Sequence, residues 1–296
     1  MVAPDAREST LLGLAADAVA LAVRGSVPIT ARLIAAAPSL RVIARSGVGY
    51  ESIDVGAASA RGIPVVITPG AGAQAVAEGA IALMLALTKR LGALDAAVRE
   101  GRYAERDRLV VGDLDGATLG LVGLGRIGSR VSELALAFGM DVVAHDPVAT
   151  PGEGVEMTDL ETLFSRAGVV SLHAPLTEST RGLVDARLLS MVGPGALLVN
   201  LARGGLIASL DDLRAALDSG RLAGVGLDVF DPEPPDLSHP LFTDPRVLLS
   251  PHVLGMSGQA KQRIFRAMSE GIVAALRGER PDAVANPEIY RVGHFS

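Results

Sequence analysis

The chain contains no cysteine and no tryptophan, and only two of its 296 residues are lysines, Lys89 and Lys261. Without cysteine there is no disulfide bond, no thiolate nucleophile and no cysteine-ligated metal site. The scarcity of lysine and the formal net charge of −6 argue against a nucleic-acid partner, because polyanions are bound by runs of basic residues. No three potential ligands have metal-site spacing, so no metal is predicted. The composition favours a globular, cytoplasmic protein.

Long hydrophobic runs are also missing. The longest, residues 79–88, falls well short of the roughly 20 residues that span a bilayer, so no membrane segment is predicted. The apolar stretch at residues 11–23 is interrupted by Asp17 and lacks a basic flank and a cleavage site, which argues against a signal peptide. With 49% hydrophobic residues, the chain is long enough for two domains with buried cores.

A glycine-rich turn follows the apolar run at residues 118–122 and precedes a segment with helical periodicity. Gly123 would permit the turn, Gly125 would let the backbone approach a pyrophosphate, and Gly128 would let the helix pack on the strand. The spacing alone is weak evidence in a chain with 34 glycines, but the next predicted strand ends in Asp146, where an acidic residue can accept hydrogen bonds from an adenosine ribose. These features predict a dinucleotide site that favours NAD(H), since Asp146 would repel a 2′-phosphate.

Apolar runs alternate with helical patterns along the chain, which predicts an α/β fold with parallel sheets. We predict a doubly wound Rossmann domain at residues 74–258 and a smaller, flavodoxin-like α/β substrate domain formed by residues 1–73 and 259–296. The helix predicted at residues 75–90 is apolar on most faces and must be buried between domains or against another subunit. We therefore expect a homodimer that uses the region around residues 75–100. The predicted strands are residues 18–23, 40–45, 64–67, 118–122, 141–145, 168–173, 196–200, 224–229 and 247–250.

The carboxyl ends of parallel strands are where open α/β sheets bind ligands. His173, Asn200 to Gly204 and Asp228 end three predicted strands and should converge near the nicotinamide end of the cofactor. A further turn, at residues 46–50, could hold a small carboxylate on the backbone N–H groups of Val48 and Gly49. The alternative is an ordinary turn between a strand and a helix.

Acid–base chemistry at a carbonyl calls for a histidine paired with a carboxylate, and Glu233 with His252 is the candidate pair. Arg203 could bind a substrate carboxylate with its guanidinium fork. Each also has a structural interpretation: Arg203 in a salt bridge, Glu233 in a solvated loop, His252 capped in a core. We interpret His145, His239 and His294 as structural or exposed.

Together these motifs resemble the NAD-dependent D-2-hydroxyacid dehydrogenases, a family that includes 3-phosphoglycerate dehydrogenase and the hydroxypyruvate and glyoxylate reductases. The matching segments run from about residue 16 to residue 287 and include Gly47-Val48-Gly49, Thr68-Pro69-Gly70, Gly123-x-Gly125-x-x-Gly128, His173-x-Pro175-Leu176, Asn200-x-Ala202-Arg203-Gly204, Asp228-Val229-Phe230, Glu233-Pro234 and Ser250-Pro251-His252.

The resemblance implies hydride transfer between NAD(H) and C2 of a small 2-oxo or D-2-hydroxy acid. It implies that Arg203 binds the substrate, that His252 is the general acid/base and that Glu233 orients it. The implied substrate contacts are Arg24, Val48, Gly49 and Arg203. The implied cofactor-binding residues are Gly123, Gly125, Arg126, Ile127, Gly128, Asp146, His173, Pro175, Thr180, Ala202 and Asp228.

Three features depart from the family pattern. Few residues precede the first predicted strand, so the smaller domain could lack its opening strands. Leu254 stands where the family usually has a small residue and would narrow the mouth of the substrate pocket. Ile67 stands where the family usually has an asparagine. Hydroxypyruvate or glyoxylate is favoured over phosphoglycerate as substrate. The alternative functions are an NAD(H)-sensing binding protein, similar to co-repressors on the same fold, and an inactive fragment.

Overall fold

The computed structural model describes residues 7–25 and 27–290 and divides the chain into two compact units. Unit 1 comprises Met1–Gly72 and Gly258–Ser296, and unit 2 comprises Ala73–Ser257. In the sequence, unit 2 therefore interrupts unit 1. The two ends of the predicted substrate domain, residues 1–6 and 291–296, lie outside the described residues.

The described residues form ten α-helices and ten β-strands. In chain order these are α1 (Glu8–Ala15), β1 (Ala20–Val23), α2 (Ala31–Ala35), β2 (Val42–Arg45), α3 (Val55–Ala60), β3 (Val65–Val66), α4 (Ala73–Thr88), α5 (Leu91–Arg99), β4 (Thr118–Val122), α6 (Arg126–Ala137), β5 (Asp141–His145), β6 (Val155–Met157), α7 (Leu160–Arg166), β7 (Val169–Leu172), α8 (Ala186–Met191), β8 (Ala196–Asn200), α9 (Leu210–Asp218), β9 (Leu222–Leu227), β10 (Val247–Leu249) and α10 (Gly258–Leu276). None of the helices in this part of the chain is long and apolar enough to cross a bilayer.

Unit 1 is built on a parallel sheet with the strand order β1-β2-β3. Helix α10 packs on β2 and β3. Gly271 permits this approach, because a Cβ at that position would lie 2.5 Å from Val66 Cγ1. The segment after α10 is tied to the sheet by the buried side chain of Asn286, which accepts a hydrogen bond from Val65 N and donates one to Ile63 O, each at 2.9 Å.

Unit 2 is built on a parallel sheet with the strand order β6-β5-β4-β7-β8-β9-β10. Hydrophobic side chains of α4 and α6 form one core cluster, and those of α7, α8 and α9 form another, with strand residues in both. Strands β4 and β7 are neighbours although two strands separate them in the sequence, so the winding direction reverses between them. The predicted α/β fold with a doubly wound parallel sheet is confirmed.

Strands β4, β5 and β8 have the predicted limits, because their inner positions carry buried residues without polar side chains and their ends are marked by polar residues or glycine. Strand β6 was not predicted. It has three residues, lies at the sheet edge and includes the exposed Glu156, so it carries no apolar run. Within a single chain Glu78 and Ala82 of α4 are exposed, so the predicted burial of this helix between domains or against another subunit stays a prediction.

Candidate active site

The glycine-rich turn between β4 and α6 is shaped by close backbone approaches. Gly123 has φ +96°, and a Cβ there would lie 2.6 Å from Ala174 N. A Cβ on Gly128 would overlap the carbonyl oxygen of Gly123. In contrast, a Cβ on Gly125 would meet no atom within 4 Å, so space remains in front of the α6 N-terminus. This combination of a tight turn, an exposed backbone and a helix N-terminus fits a dinucleotide diphosphate.

Asp146 follows β5 and connects the glycine-rich turn with its own loop. Its carboxylate accepts hydrogen bonds from Leu124 N at 2.8 Å and from Val148 N and Ala149 N, each at 2.9 Å. Burial acts to raise the pKa of Asp146, but these backbone amides outweigh it and the pKa lies below its usual range. A carboxylate offers about four acceptor positions, so one remains for a ribose hydroxyl. Asp146 therefore both shapes the glycine-rich turn and fits the predicted adenosine site.

His173 follows β7 on the other side of the winding reversal. Its Nε2 lies 2.7 Å from Ser171 Oγ, and its Nδ1 is buried and has no hydrogen-bond partner in the described part of the chain. Burial lowers the pKa of His173 to about 4, so the ring is neutral near neutral pH. A buried nitrogen without a partner, next to the glycine-rich turn, is consistent with a place near a bound cofactor.

This buried ring predicts that acid destabilises the protein. As the pH falls from about 6.5 towards about 4, the unfolded chain binds a proton that folded His173 excludes, so the free energy of unfolding decreases. When the pH is lowered from about 7 to about 4.5, we expect the free energy of unfolding to fall by about 2 kcal/mol more in the wild-type protein than in the His173→Gln variant. Urea unfolding of both proteins at these two pH values measures the difference. An equal loss in the two proteins would contradict the prediction.

Other predicted cofactor residues lie in unit 2 near these turns. Thr180 Oγ1 donates to Pro175 O at 2.6 Å and accepts from Thr177 N at 2.8 Å, so this hydroxyl is engaged within its own loop. Arg126 is the exposed first residue of α6, and Ile127 is partly buried against the core cluster of α4 and α6. The described part of the chain contains no group of three acidic or histidine side chains that could hold a metal ion.

Arg203 lies on a turn that follows β8. The buried Asn200 side chain closes this turn, because its Oδ1 accepts from Ala202 N at 3.0 Å and its Nδ2 donates to Arg203 O at 2.8 Å. Arg203 Nη1 donates to Ala202 O at 2.7 Å. A Cβ on Gly204 would overlap the backbone of Phe230, so the Arg203 turn abuts the segment that leads to Glu233. Sequence reasoning named Asn200 only as part of a motif and missed this closure, although a polar residue that ends an apolar strand is a usable signal.

Glu233 and His252 are brought into direct contact. The carboxylate oxygens of Glu233 lie 2.9 and 3.0 Å from His252 Nδ1, and Glu233 Oε1 also accepts from Phe230 N at 3.1 Å. About half of the His252 side-chain surface is exposed. A carboxylate on Nδ1 selects the tautomer with the proton on that nitrogen and leaves Nε2 to exchange a proton with a ligand. This is the geometry that an oriented general acid/base requires.

The loop that carries His252 is anchored on Asp228, a buried residue that follows β9. Asp228 Oδ1 accepts from Ser250 Oγ at 2.6 Å and from Val253 N at 3.0 Å. Leu254 N lies 3.3 Å from Oδ2. Asp228 thus holds both flanks of His252.

Leu254 packs over a glycine of α4. A Cβ on Gly79 would lie 2.8 Å from Leu254 Cβ and 3.3 Å from Leu254 Cδ1. The leucine therefore fills the space above Gly79 and adds to the core cluster of α4 and α6. Its predicted effect on the pocket mouth stays a prediction.

The other predicted substrate contacts lie in unit 1. Arg24 is exposed and directly follows β1. In the turn after β2, Arg45 Nε donates to Gly49 O and Thr68 N donates to Gly47 O, each at 2.9 Å. The carbonyl groups of Gly47 and Gly49 are therefore engaged, whereas no hydrogen bond from Val48 N or Gly49 N is found among the described residues. The turn offers N–H donors, as a carboxylate requires.

The remaining histidines differ from the Glu233–His252 pair. His145 Nδ1 lies 3.0 Å from Thr158 O. His239 accepts from Leu241 N at 3.1 Å and lies 3.1 Å from Asp211, so it caps a short 3₁₀ helix. His294 lies outside the described residues.

Comparison with known proteins identifies similar chains. Residues 81–253 match the family model described as D-isomer specific 2-hydroxyacid dehydrogenase, NAD binding domain. The chain is 41% identical over 281 residues to the D-3-phosphoglycerate dehydrogenase of Mycobacterium tuberculosis, a match that covers 93% of this chain and 52% of that protein. It is 39% identical over 259 residues to the hydroxypyruvate reductase of Thermotoga maritima, which covers 86% of this chain and 84% of that protein.

The chain thus spans about half the length of the mycobacterial relative and most of the length of the Thermotoga relative. A crystal structure of a protein from Thermus thermophilus superposes with a TM-score of 0.88 at 39% identity, covering 94% of this chain and 89% of that one. The predicted NAD-binding domain with a Rossmann fold is confirmed.

Proposed function

Because the chain belongs to the D-isomer specific 2-hydroxyacid dehydrogenase family, we propose that it interconverts a small 2-oxo acid and the corresponding D-2-hydroxy acid. The bound NAD(H) supplies or accepts the hydride at C2. By their names, the relatives act on hydroxypyruvate and 3-phosphoglycerate, and these substrates, together with glyoxylate, are the class that we propose. The observation that carries the proposal is the contact of His252 Nδ1 with Glu233, 2.9 Å from Oε2.

In the reductive direction, His252 donates the proton on Nε2 to the carbonyl oxygen of the substrate. Glu233 holds the ring through Nδ1 and so keeps Nε2 directed at the substrate. Arg203 binds the substrate carboxylate and polarises the adjacent carbonyl group. Val48, Gly49 and Arg24 are proposed as further substrate contacts.

A panel of 2-oxo acids tests this function. NADH consumption with hydroxypyruvate, glyoxylate, phosphohydroxypyruvate and pyruvate is followed through the nicotinamide absorbance, and NADH binding is measured separately by titration. Turnover of at least one acid supports the proposal. Intact NADH binding without turnover of any acid would contradict it and favour the sensing alternative.

The charge of Asp146 predicts a preference for NADH over NADPH, because the carboxylate would lie near the added 2′-phosphate. We expect Asp146→Asn, which keeps one acceptor oxygen for the backbone amides, to lower the ratio of kcat/KM for NADH to that for NADPH by about tenfold or more. Asp185→Asn is the matched control, since Asp185 also accepts a backbone amide, from Leu188 at 2.9 Å, as the N-cap of α8. An unchanged ratio in Asp146→Asn would argue against this role.

We also propose a homodimer formed through the region around residues 75–100. Helix α5 lies in this region and exposes Leu91 (52%) and Val98 (61%), two apolar side chains that a subunit contact would cover. Size-exclusion chromatography with light scattering should give a dimer, and Val98→Glu should shift it towards monomer. Val273→Glu, on an exposed position of α10, should leave the dimer intact. A monomeric wild-type protein would contradict the proposal.

A cytoplasmic location is likewise proposed, and fractionation of cells tests it.

A further inference from the structure

His252 has an unusual backbone conformation. Its φ is +52°, in the left-handed region that residues other than glycine rarely occupy. Such a residue persists only where the surrounding structure holds it in place, and such residues cluster at functional sites. The contact between Glu233 and Nδ1 holds the ring but does not hold the backbone. Other contacts must therefore set the backbone of His252.

One of these contacts lies within the loop, where His252 N donates to Ser250 O at 3.1 Å. The others come from Asp228. Ser250, two residues before His252, donates its hydroxyl to Asp228 Oδ1 at 2.6 Å. Val253, the residue after His252, donates its backbone N–H to the same oxygen at 3.0 Å. One buried carboxylate oxygen therefore joins the two flanks of the histidine and closes the loop around it.

Asp228 is itself fixed to the sheet. Its backbone N donates to Asn200 O at 3.0 Å, and Ser250 N donates to Leu227 O at 2.9 Å. The hydroxyl of Ser250 thus connects the His252 loop to the carboxyl ends of β8 and β9, where the Arg203 turn also begins. A bond from a hydroxyl to a carboxylate is shorter and stronger than one between neutral groups.

We propose that Ser250 is a positioning residue, whose hydroxyl bond to Asp228 holds the backbone of His252 so that Nε2 is presented to the substrate. This proposal rests on the proposed function. It assigns to Asp228 a role in addition to the cofactor contact that the resemblance implies. The two roles are compatible. Among the described residues only Leu254 N, at 3.3 Å, approaches Asp228 Oδ2, so Oδ2 can accept a hydrogen bond from another donor.

Substitutions at Ser250 separate the two roles, because they remove the hydroxyl and leave the Asp228 carboxylate in place. We expect Ser250→Ala and Ser250→Val to lower kcat by about tenfold or more, since a small displacement of an acid/base group is costly. The dissociation constant for NADH should change by less than about threefold. Ser250→Thr keeps a hydroxyl and should recover most of kcat, whereas valine has the shape of threonine without the hydroxyl. Ser190→Ala is the control, because it removes a serine hydroxyl that donates to Arg187 O at 2.6 Å on α8.

A measurement that does not depend on turnover examines the bond itself. Hydrogen exchange of the backbone amides of Val253 and Leu254 should accelerate by about tenfold in the alanine and valine variants and stay near the wild-type rate in the threonine variant.

Three results would overturn the proposal: wild-type kcat in Ser250→Ala and Ser250→Val, a loss of NADH affinity as large as the loss of kcat, or a threonine variant as impaired as the valine variant. A wild-type protein that turns over no 2-oxo acid would instead overturn the proposed function, and the exchange rates would then decide whether the Ser250 bond holds the loop.

Discussion

Replacing His252 by alanine should lower kcat by about 10³- to 10⁴-fold and leave NADH binding within about threefold of the wild-type value. The loss is large because proton transfer to the carbonyl oxygen would then depend on water. Cofactor binding should persist because the glycine-rich turn and Asp146 lie on elements that do not include His252, and because the substitution leaves the Asp228 carboxylate in place. Steady-state kinetics with the best substrate of the panel and titration of NADH by fluorescence measure the two quantities.

Two further variants make this test specific. His252→Gln keeps a polar side chain of similar size and should be impaired nearly as much as His252→Ala, because an amide does not exchange protons near neutral pH. His239→Gln is the matched control, since His239 also faces a carboxylate, with Nε2 3.1 Å from Asp211 Oδ1. It should keep turnover within about threefold of wild type. Substantial turnover in His252→Ala would remove the proposed mechanism.

The strands and the cofactor turn could be predicted because their signals are local. A strand that is buried on both faces needs an apolar side chain at each position, so β4 and β8 are visible as short apolar runs. The turn after β4 needs a residue that tolerates φ +96°, which favours glycine at position 123. These requirements apply to neighbouring residues, and the sequence therefore displays them.

The pairing of Glu233 with His252 was predicted from chemistry and from the family resemblance, but its geometry depends on tertiary structure. The bonds that hold the site were not predicted. Asp228 accepts from Ser250 Oγ at 2.6 Å only because β9 and β10 are adjacent in the sheet. Leu254 fits because Gly79, far away in the sequence, leaves space for it. Contacts between distant segments have no periodicity or spacing that a single sequence reveals.

Asp146 illustrates the same limit within a single prediction. Its position after β5 indicated a contact with the cofactor ribose, a role that follows from the local motif. Its carboxylate also accepts a hydrogen bond from Leu124 N at 2.8 Å and so shapes the glycine-rich turn. This contact depends on the pairing of β4 with β5. The position of Asp146 directly after β5 was therefore predictable, whereas the number of its structural contacts was not.

Replacing Arg203 by alanine should lower kcat/KM for the 2-oxo acid by about 10³-fold, which corresponds to about 4 kcal/mol of transition-state stabilisation. The guanidinium would bind the substrate carboxylate through two charge-assisted hydrogen bonds and polarise the carbonyl group that accepts the hydride. We therefore expect both a higher KM and a lower kcat, with little change in NADH affinity, because Arg203 would contribute to substrate binding and to the transition state. Steady-state kinetics and NADH titration provide these values.

Arg203→Lys separates the effect of the positive charge from the effect of the two parallel hydrogen bonds that a guanidinium can donate. Lysine keeps the positive charge but cannot donate two parallel hydrogen bonds to one carboxylate, so it should recover only part of the loss in kcat/KM. Arg187→Ala is the matched control, because Arg187 is an exposed arginine of unit 2 that bonds to Glu161 at 2.6 Å. If Arg203→Ala raised the dissociation constant of NADH as strongly as it lowered kcat/KM, Arg203 would act on the cofactor site or on the fold. If Arg203→Lys matched the wild type, the charge alone would account for its role and the two-bond geometry would be wrong.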